Sequence, residues 1–113
     1  MKIIVDSISI SELSKLAGNF FGNMVKAVVD IEQELLAVDA QMHADLEKML
    51  LENGSQQKNL WGINLYPELF GGEFVEFDSM INLRPAQNNR SRSVESEKIR
   101  KQILQVVAKR IVK

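Results

Sequence analysis

Apolar and polar positions alternate along this chain with two periods, and the switches between them outline its elements. Lys2–Val5 is a short β-branched run that predicts a first strand. Ile10, Leu13, Ala17 and Phe20 then fall on one helical face. Ser9 and Glu12 have capping-box spacing ahead of that face, and Ile8 and Leu13 occupy the two hydrophobic-staple positions. Gly22-Asn23 supplies the stop.

Positions 24–54 support two readings. Met24, Val28, Ile31, Leu35, Val38, Met42 and Met49 follow heptad spacing, which predicts one long central helix over 24–52 and fewer strands. Val25, Ala27, Val29 and Ile31 alternate, which predicts a strand over 24–31, a turn near Glu32-Gln33, a strand over 35–39 and a helix from about 41 to 52. No glycine marks the turn. Asn53-Gly54 ends the helix in either case.

The second half is clearer. Trp61, Ile63 and Leu65 alternate with Gly62, Asn64 and Tyr66. After turn residues from Pro67 to Gly72, Val75, Phe77, Ile81 and Leu83 alternate with Glu76, Asp78, Asn82 and Arg84. The two segments read as an antiparallel hairpin with one face in water. Pro85 ends it, and Ala86–Ser93 is a polar loop. Ser96 is placed to cap a last helix, whose apolar stripe is Ile99, Ile103, Val106, Val107 and Ile111. The expected fold is α+β: an antiparallel sheet with helices packed on one face, in the order β-α-β-β-α-β-β-α. The open face would leave Val28, Tyr66 and Met80 available for a homodimer.

At 113 residues the chain has room for one domain, 1–113, with one core. It has no cysteine and a single histidine, so a disulfide framework, a thiolate nucleophile and a multi-histidine or cysteine metal centre are excluded. No run approaches the about 20 apolar residues of a membrane-spanning helix, and the start of the chain lacks a signal-type apolar region, so a cytoplasmic, membrane-free protein is expected. The net charge of −1 argues against a basic field over the whole surface, but it is a sum of an acidic body and a basic final segment. Arg90, Arg92, Lys98, Arg100, Lys101, Lys109, Arg110 and Lys113 face only Glu95 and Glu97 within 90–113.

Dinucleotide, Walker, nucleophile-elbow and zinc-helix motifs are absent, and nothing points to a particular cofactor. Three weaker constellations remain. The loop Arg84–Ser93 offers Arg84, Arg90 and Arg92 with Asn88 and Asn89, and forked guanidiniums ahead of a helix start suit phosphate or carboxylate. The polar strand face adds Asn64 and Asn82, together with Glu76 and Asp78, which suit acid–base work or a hard cation such as Mg²⁺. His43, near Asp45 and Glu47, has the chemistry of a general base. The leading expectation is a binding protein for an anionic small molecule, with a nucleic-acid backbone as a weaker fit. A small metal-dependent hydrolase or phosphoryl-transfer enzyme and an interaction module without chemistry are the alternatives.

Three stretches resemble a known family when taken together. They are His43-Ala44-Asp45 with Leu50–Ser55, Leu60-Trp61-Gly62-Ile63-Asn64-Leu65-Tyr66-Pro67, and Glu76–Pro85 running on to Asn89-Arg90-Ser91-Arg92. The combination resembles short prokaryotic proteins catalogued as a domain of unknown function, over nearly the whole chain. That family usually carries glycines near the positions held here by Asp39 and Ala40, so the resemblance favours the hairpin over the long helix, although this chain lacks those glycines. It implies no activity, ligand or catalytic residue.

Overall fold

The structure is a computed structural model and describes residues 1–113. Its centre is a five-stranded antiparallel sheet in the order β1-β4-β3-β5-β6. The strands are β1 (Lys2–Ile4), β3 (Val25–Asp30), β4 (Leu35–Val38), β5 (Leu60–Leu65) and β6 (Val75–Glu76). The helices are α1 (Ile10–Phe20), α2 (His43–Glu52) and α3 (Glu97–Arg110). A separate two-stranded parallel pair joins β2 (Ile8–Ser9) to β7 (Ile111–Val112) and so ties the start of α1 to the end of α3.

The β-branched residues decide the region that sequence periodicity left open. β3 and β4 form a hairpin, with Val28 opposite Ala37 and Val29 opposite Leu36, and the long helix over 24–52 does not form. The turn needs no glycine because Asp30 organises it. The Asp30 carboxylate accepts the N–H groups of Glu32 at 2.9 Å and Gln33 at 3.0 Å, and Glu34 takes up a left-handed φ of 57°. Its second oxygen accepts the Ser55 hydroxyl at 2.6 Å and the Gln33 amide at 3.1 Å. A fully buried carboxylate is retained here because its oxygens are this well supplied with donors. Asp39, at a position where the family resemblance places glycine, ends β4 with a φ of 76°.

The α+β class and the antiparallel sheet are as expected, but the helices lie on both faces. Ala27, Val29, Leu36, Trp61 and Ile63 pack against Leu13 and Leu16 of α1 and Ile103 and Val106 of α3. Val28, Leu35, Ala37 and Leu60 point the other way and pack against Leu46 and Leu50 of α2. The central strands are apolar on alternate residues of both faces, so each face requires cover. Burying a side chain such as Val28 contributes about 1.5–3 kcal/mol, which water on that face would forfeit. The open sheet face expected for a homodimer is therefore occupied by α2.

Helix ends follow local chemistry. Ser9 and Glu12 form the reciprocal capping box of α1, Ser96 caps α3 by accepting from Ile99 at 3.3 Å, and Gly54 leaves α2 at φ 99°. Residues 74–84 depart from the expected long strand. Only Val75–Glu76 pairs with β5, and the chain then rises into a 3-10 turn over Met80–Asn82. Phe77 packs in the α1/α3 layer while Ile81 packs in the α2 layer, so the apolar alternation does not mark one face. No helix is long and apolar enough to cross a membrane.

Candidate functional site

Each residue of the arginine loop has a definite place. Arg84 reaches across to the backbone carbonyls of Gln57 and Leu60 and lays its guanidinium over the Trp61 ring, 4.0 Å from the centroid. Burial lowers its pKa against the opposing pull of Glu47, yet a guanidinium remains a cation. Asn89 is the hub of the loop. Its amide donates to the carbonyls of Asn82 and Ser93 at 2.7 Å each and of Ser91 at 3.1 Å, and its oxygen accepts the Glu95 N–H at 2.9 Å. Asn88 turns the backbone at φ 61°. Arg90 is exposed, and its backbone N–H donates to Glu95. Arg92 pairs with Asp78 at 2.8 Å.

The polar strand residues are likewise engaged. The Glu76 carboxylate accepts from the Asn64 amide at 2.8 Å and the Tyr66 hydroxyl at 2.9 Å. Burial, with the acceptor bond to Glu76, raises the Tyr66 pKa. Asn82 is fully buried and bonded to Gly62 and Arg92 backbone atoms. No group of three or more His, Asp or Glu side chains gathers to hold a metal ion. Glu76 thus accepts from Asn64 and Tyr66, while Asp78 pairs with Arg92.

What the fold does bring together is a cavity of about 180 Å³ at the start of α2. His43, Asn64, Asp78 and Arg92 line it, joined by Lys26 and Ser79. Lys26 and Asn64 are cross-strand partners on β3 and β5, on the face that α2 covers further along. Met42 and Met80, 57% and 62% exposed, also border it as apolar lips.

His43 is the first residue of α2 and is buried. Its Nε2–H donates to the Ile63 carbonyl at 2.8 Å, leaving Nδ1 as the acceptor nitrogen. Desolvation lowers its pKa, partly opposed by that hydrogen bond, while Lys26 and Arg92 push it down and Asp78 pushes it up. The imidazole is therefore neutral near pH 7. The residue before it, Met42, occupies the cap position but has no side-chain oxygen to accept the first N–H groups of α2. Asn64 is only 5% exposed, and its amide nitrogen is committed to Glu76 and the Asp78 carbonyl. Its oxygen has no partner within the protein. Turning the amide over would set that oxygen against a carboxylate, so its orientation is fixed.

Lys26 was not among the residues singled out from sequence. Its signal was present: it is the single charge inside the apolar run 24–29, at the alternate position that must share a face with Val28. Of the loop arginines only Arg92 reaches this cavity.

The class defined by fold and site is an α+β protein with an antiparallel sheet covered on both faces and a small cation-lined cavity at one helix start. Within that class the chain belongs to the family described as protein of unknown function (DUF5674), whose model matches residues 2–110. Neither the curated proteins nor the solved structures contain a match to it.

Proposed function

We propose that this chain is a binding protein for a small anion carrying phosphate or carboxylate, held in the cavity at the start of α2. The observation that carries the reading is the placement of Lys26, Arg92 and the uncapped first turn of α2 around one cavity of about 180 Å³. Asp78 pairs with Arg92, so Lys26 and the helix terminus, with roughly half a positive charge set against Asp45 in the same turn, are what remain to attract an anion. The volume suits a single charged group or a molecule of a few heavy atoms, with Met42 and Met80 meeting any apolar remainder. Arg84 supports the site from a distance by holding the neighbouring backbone.

The sole histidine makes the test direct. Addition of inorganic phosphate, or of acetate, at millimolar concentration is expected to shift the His43 imidazole resonances saturably. The shift should be lost when Lys26 and Arg92 are both replaced by alanine. Resonances that stay still for every anion overturn the proposal.

A further inference from the structure

The largest concavity of the molecule lies away from this cavity, on the α1/α3 side of the sheet. It is a groove of about 590 Å³. One wall is Leu104 and Ala108 of α3 with Ile111 of β7, and the other is Leu69, Phe70 and Phe74 in the segment after β5. Phe70 is 87% exposed, more than any other large apolar side chain here, and Leu69, Leu104 and Val112 are exposed beside it. A continuous apolar surface of this kind marks an interaction site.

Charge selects the occupant. Glu68 and Glu73 are interleaved with the apolar residues of the loop wall. Lys101 stands one turn before Leu104, and Lys113 lines the far end of the α3–β7 wall. All four are exposed, and none belongs to an ion pair within the chain. The groove is thus lined by apolar residues, with Glu68 and Glu73 in the segment that forms one wall and Lys101 and Lys113 in the segment that forms the other. A surface with that layout is complementary to itself under a two-fold rotation. An acyl chain would match the apolar lining but neither pair of charges, and a peptide of one charge sign would match a single wall.

We propose that this groove is the contact surface for a second copy of the chain, with Phe70 of each copy seated in the groove of the other. In that arrangement Glu68 and Glu73 face the partner's Lys101 and Lys113. A stable interface needs about 800 Å² from each partner. That is about one eighth of the 6324 Å² surface of this chain.

Sedimentation velocity over a concentration series tests this. The unmodified chain is expected to pass from monomer to dimer, and Phe70→Ala to remain monomeric with an unchanged unfolding midpoint. The paired reversals Glu68→Lys/Glu73→Lys and Lys101→Glu/Lys113→Glu each leave both walls with charges of one sign. Each is expected to be monomeric alone, and an equimolar mixture of the two is expected to form a heterodimer. Three results would overturn the proposal: a wild-type monomer at every concentration, a dimer indifferent to Phe70→Ala, or a mixture that associates no better than its components. A fatty acid that binds the monomer in a Phe70-dependent way would assign the groove to a ligand instead.

Discussion

The side chain of Asn82 pairs with the backbone of Gly62 as a neighbouring strand would. The Gly62 N–H donates to the Asn82 oxygen at 2.8 Å, and the Asn82 amide donates back to the Gly62 carbonyl at 2.9 Å. One side-chain amide thus supplies the donor and acceptor of a peptide group where β6 has already ended. The approach requires glycine at 62, because a Cβ there would stand 2.5 Å from the Cβ of Ser79.

Asn82→Ala should leave buried backbone groups of Gly62 unpaired. At about 1–3 kcal/mol for each such group, a loss of roughly 2–4 kcal/mol is expected from urea unfolding. Gly62→Ala should lose about 1–3 kcal/mol through overpacking against Ser79, with Asn82 intact.

Arg84 and Arg92 should separate into stability and binding. Arg84 is used by two carbonyls and the Trp61 ring, so Arg84→Met should lower stability by about 2 kcal/mol, in keeping with charged hydrogen bonds worth about 1.5–3 kcal/mol. Its anion affinity, read by the His43 resonances, should stay within a few-fold of the parent. Arg92 is exposed, and its pair with Asp78 is worth at most about 1 kcal/mol. Arg92→Ala should therefore leave the unfolding midpoint nearly unchanged while weakening anion binding.

Asp78 competes with any anion for Arg92. Asp78→Asn removes that competition and one negative charge from the cavity. Anion affinity should rise several-fold in Asp78→Asn and fall in Lys26→Ala, and the difference should shrink with added salt as exposed charges are screened. Isothermal titration at two ionic strengths checks both signs.

His43 should make stability depend on pH. Its folded pKa is depressed by burial, while in the unfolded chain it titrates near the ordinary 6.5. Above 6.5 neither state holds the proton, and the histidine contribution is fully present. As pH falls from 6.5 toward the folded pKa, the unfolded state takes up a proton that the folded state refuses. Stability then declines by up to about 1.4 kcal/mol per pH unit. Chemical denaturation between about pH 7.5 and 5, on either side of the ordinary histidine pKa of about 6.5, should show this decline, and His43→Gln should flatten it. A bound anion should raise the His43 pKa toward its ordinary value.

The limits of sequence reading show at particular residues. The capping box of Ser9 and Glu12, the Ser96 cap and the Gly54 stop are satisfied within a few residues of chain, so spacing alone reveals them. The β3–β4 turn is equally local, but its agent is Asp30 at a strand end, and a search for glycine between the strands passes over it. Asn82, Asn89 and Arg84 looked like ligand residues because polar side chains in a loop suit a ligand and a backbone equally well. Asn89 is bonded to backbone groups within seven residues of it, whereas the Gly62 partner of Asn82 and the Gln57 and Leu60 partners of Arg84 are 20 or more residues away and come into reach only on folding.

By itself, the sequence determined the α+β class, the capped starts of α1 and α3 and the alternation of β5, because caps and period-two patterning are short-range and each residue carries its own part. Tertiary structure alone decided that α2 covers the second face, since burial of Val28 and Leu60 depends on an apolar partner arriving from elsewhere in the chain. It also decided where the cations lie. Arg84 rests on carbonyls and the Trp61 ring, whereas Lys26, 5.3 Å from the Phe21 ring centroid, and Arg92, paired with Asp78, line one cavity at the start of α2 although they are far apart in the chain.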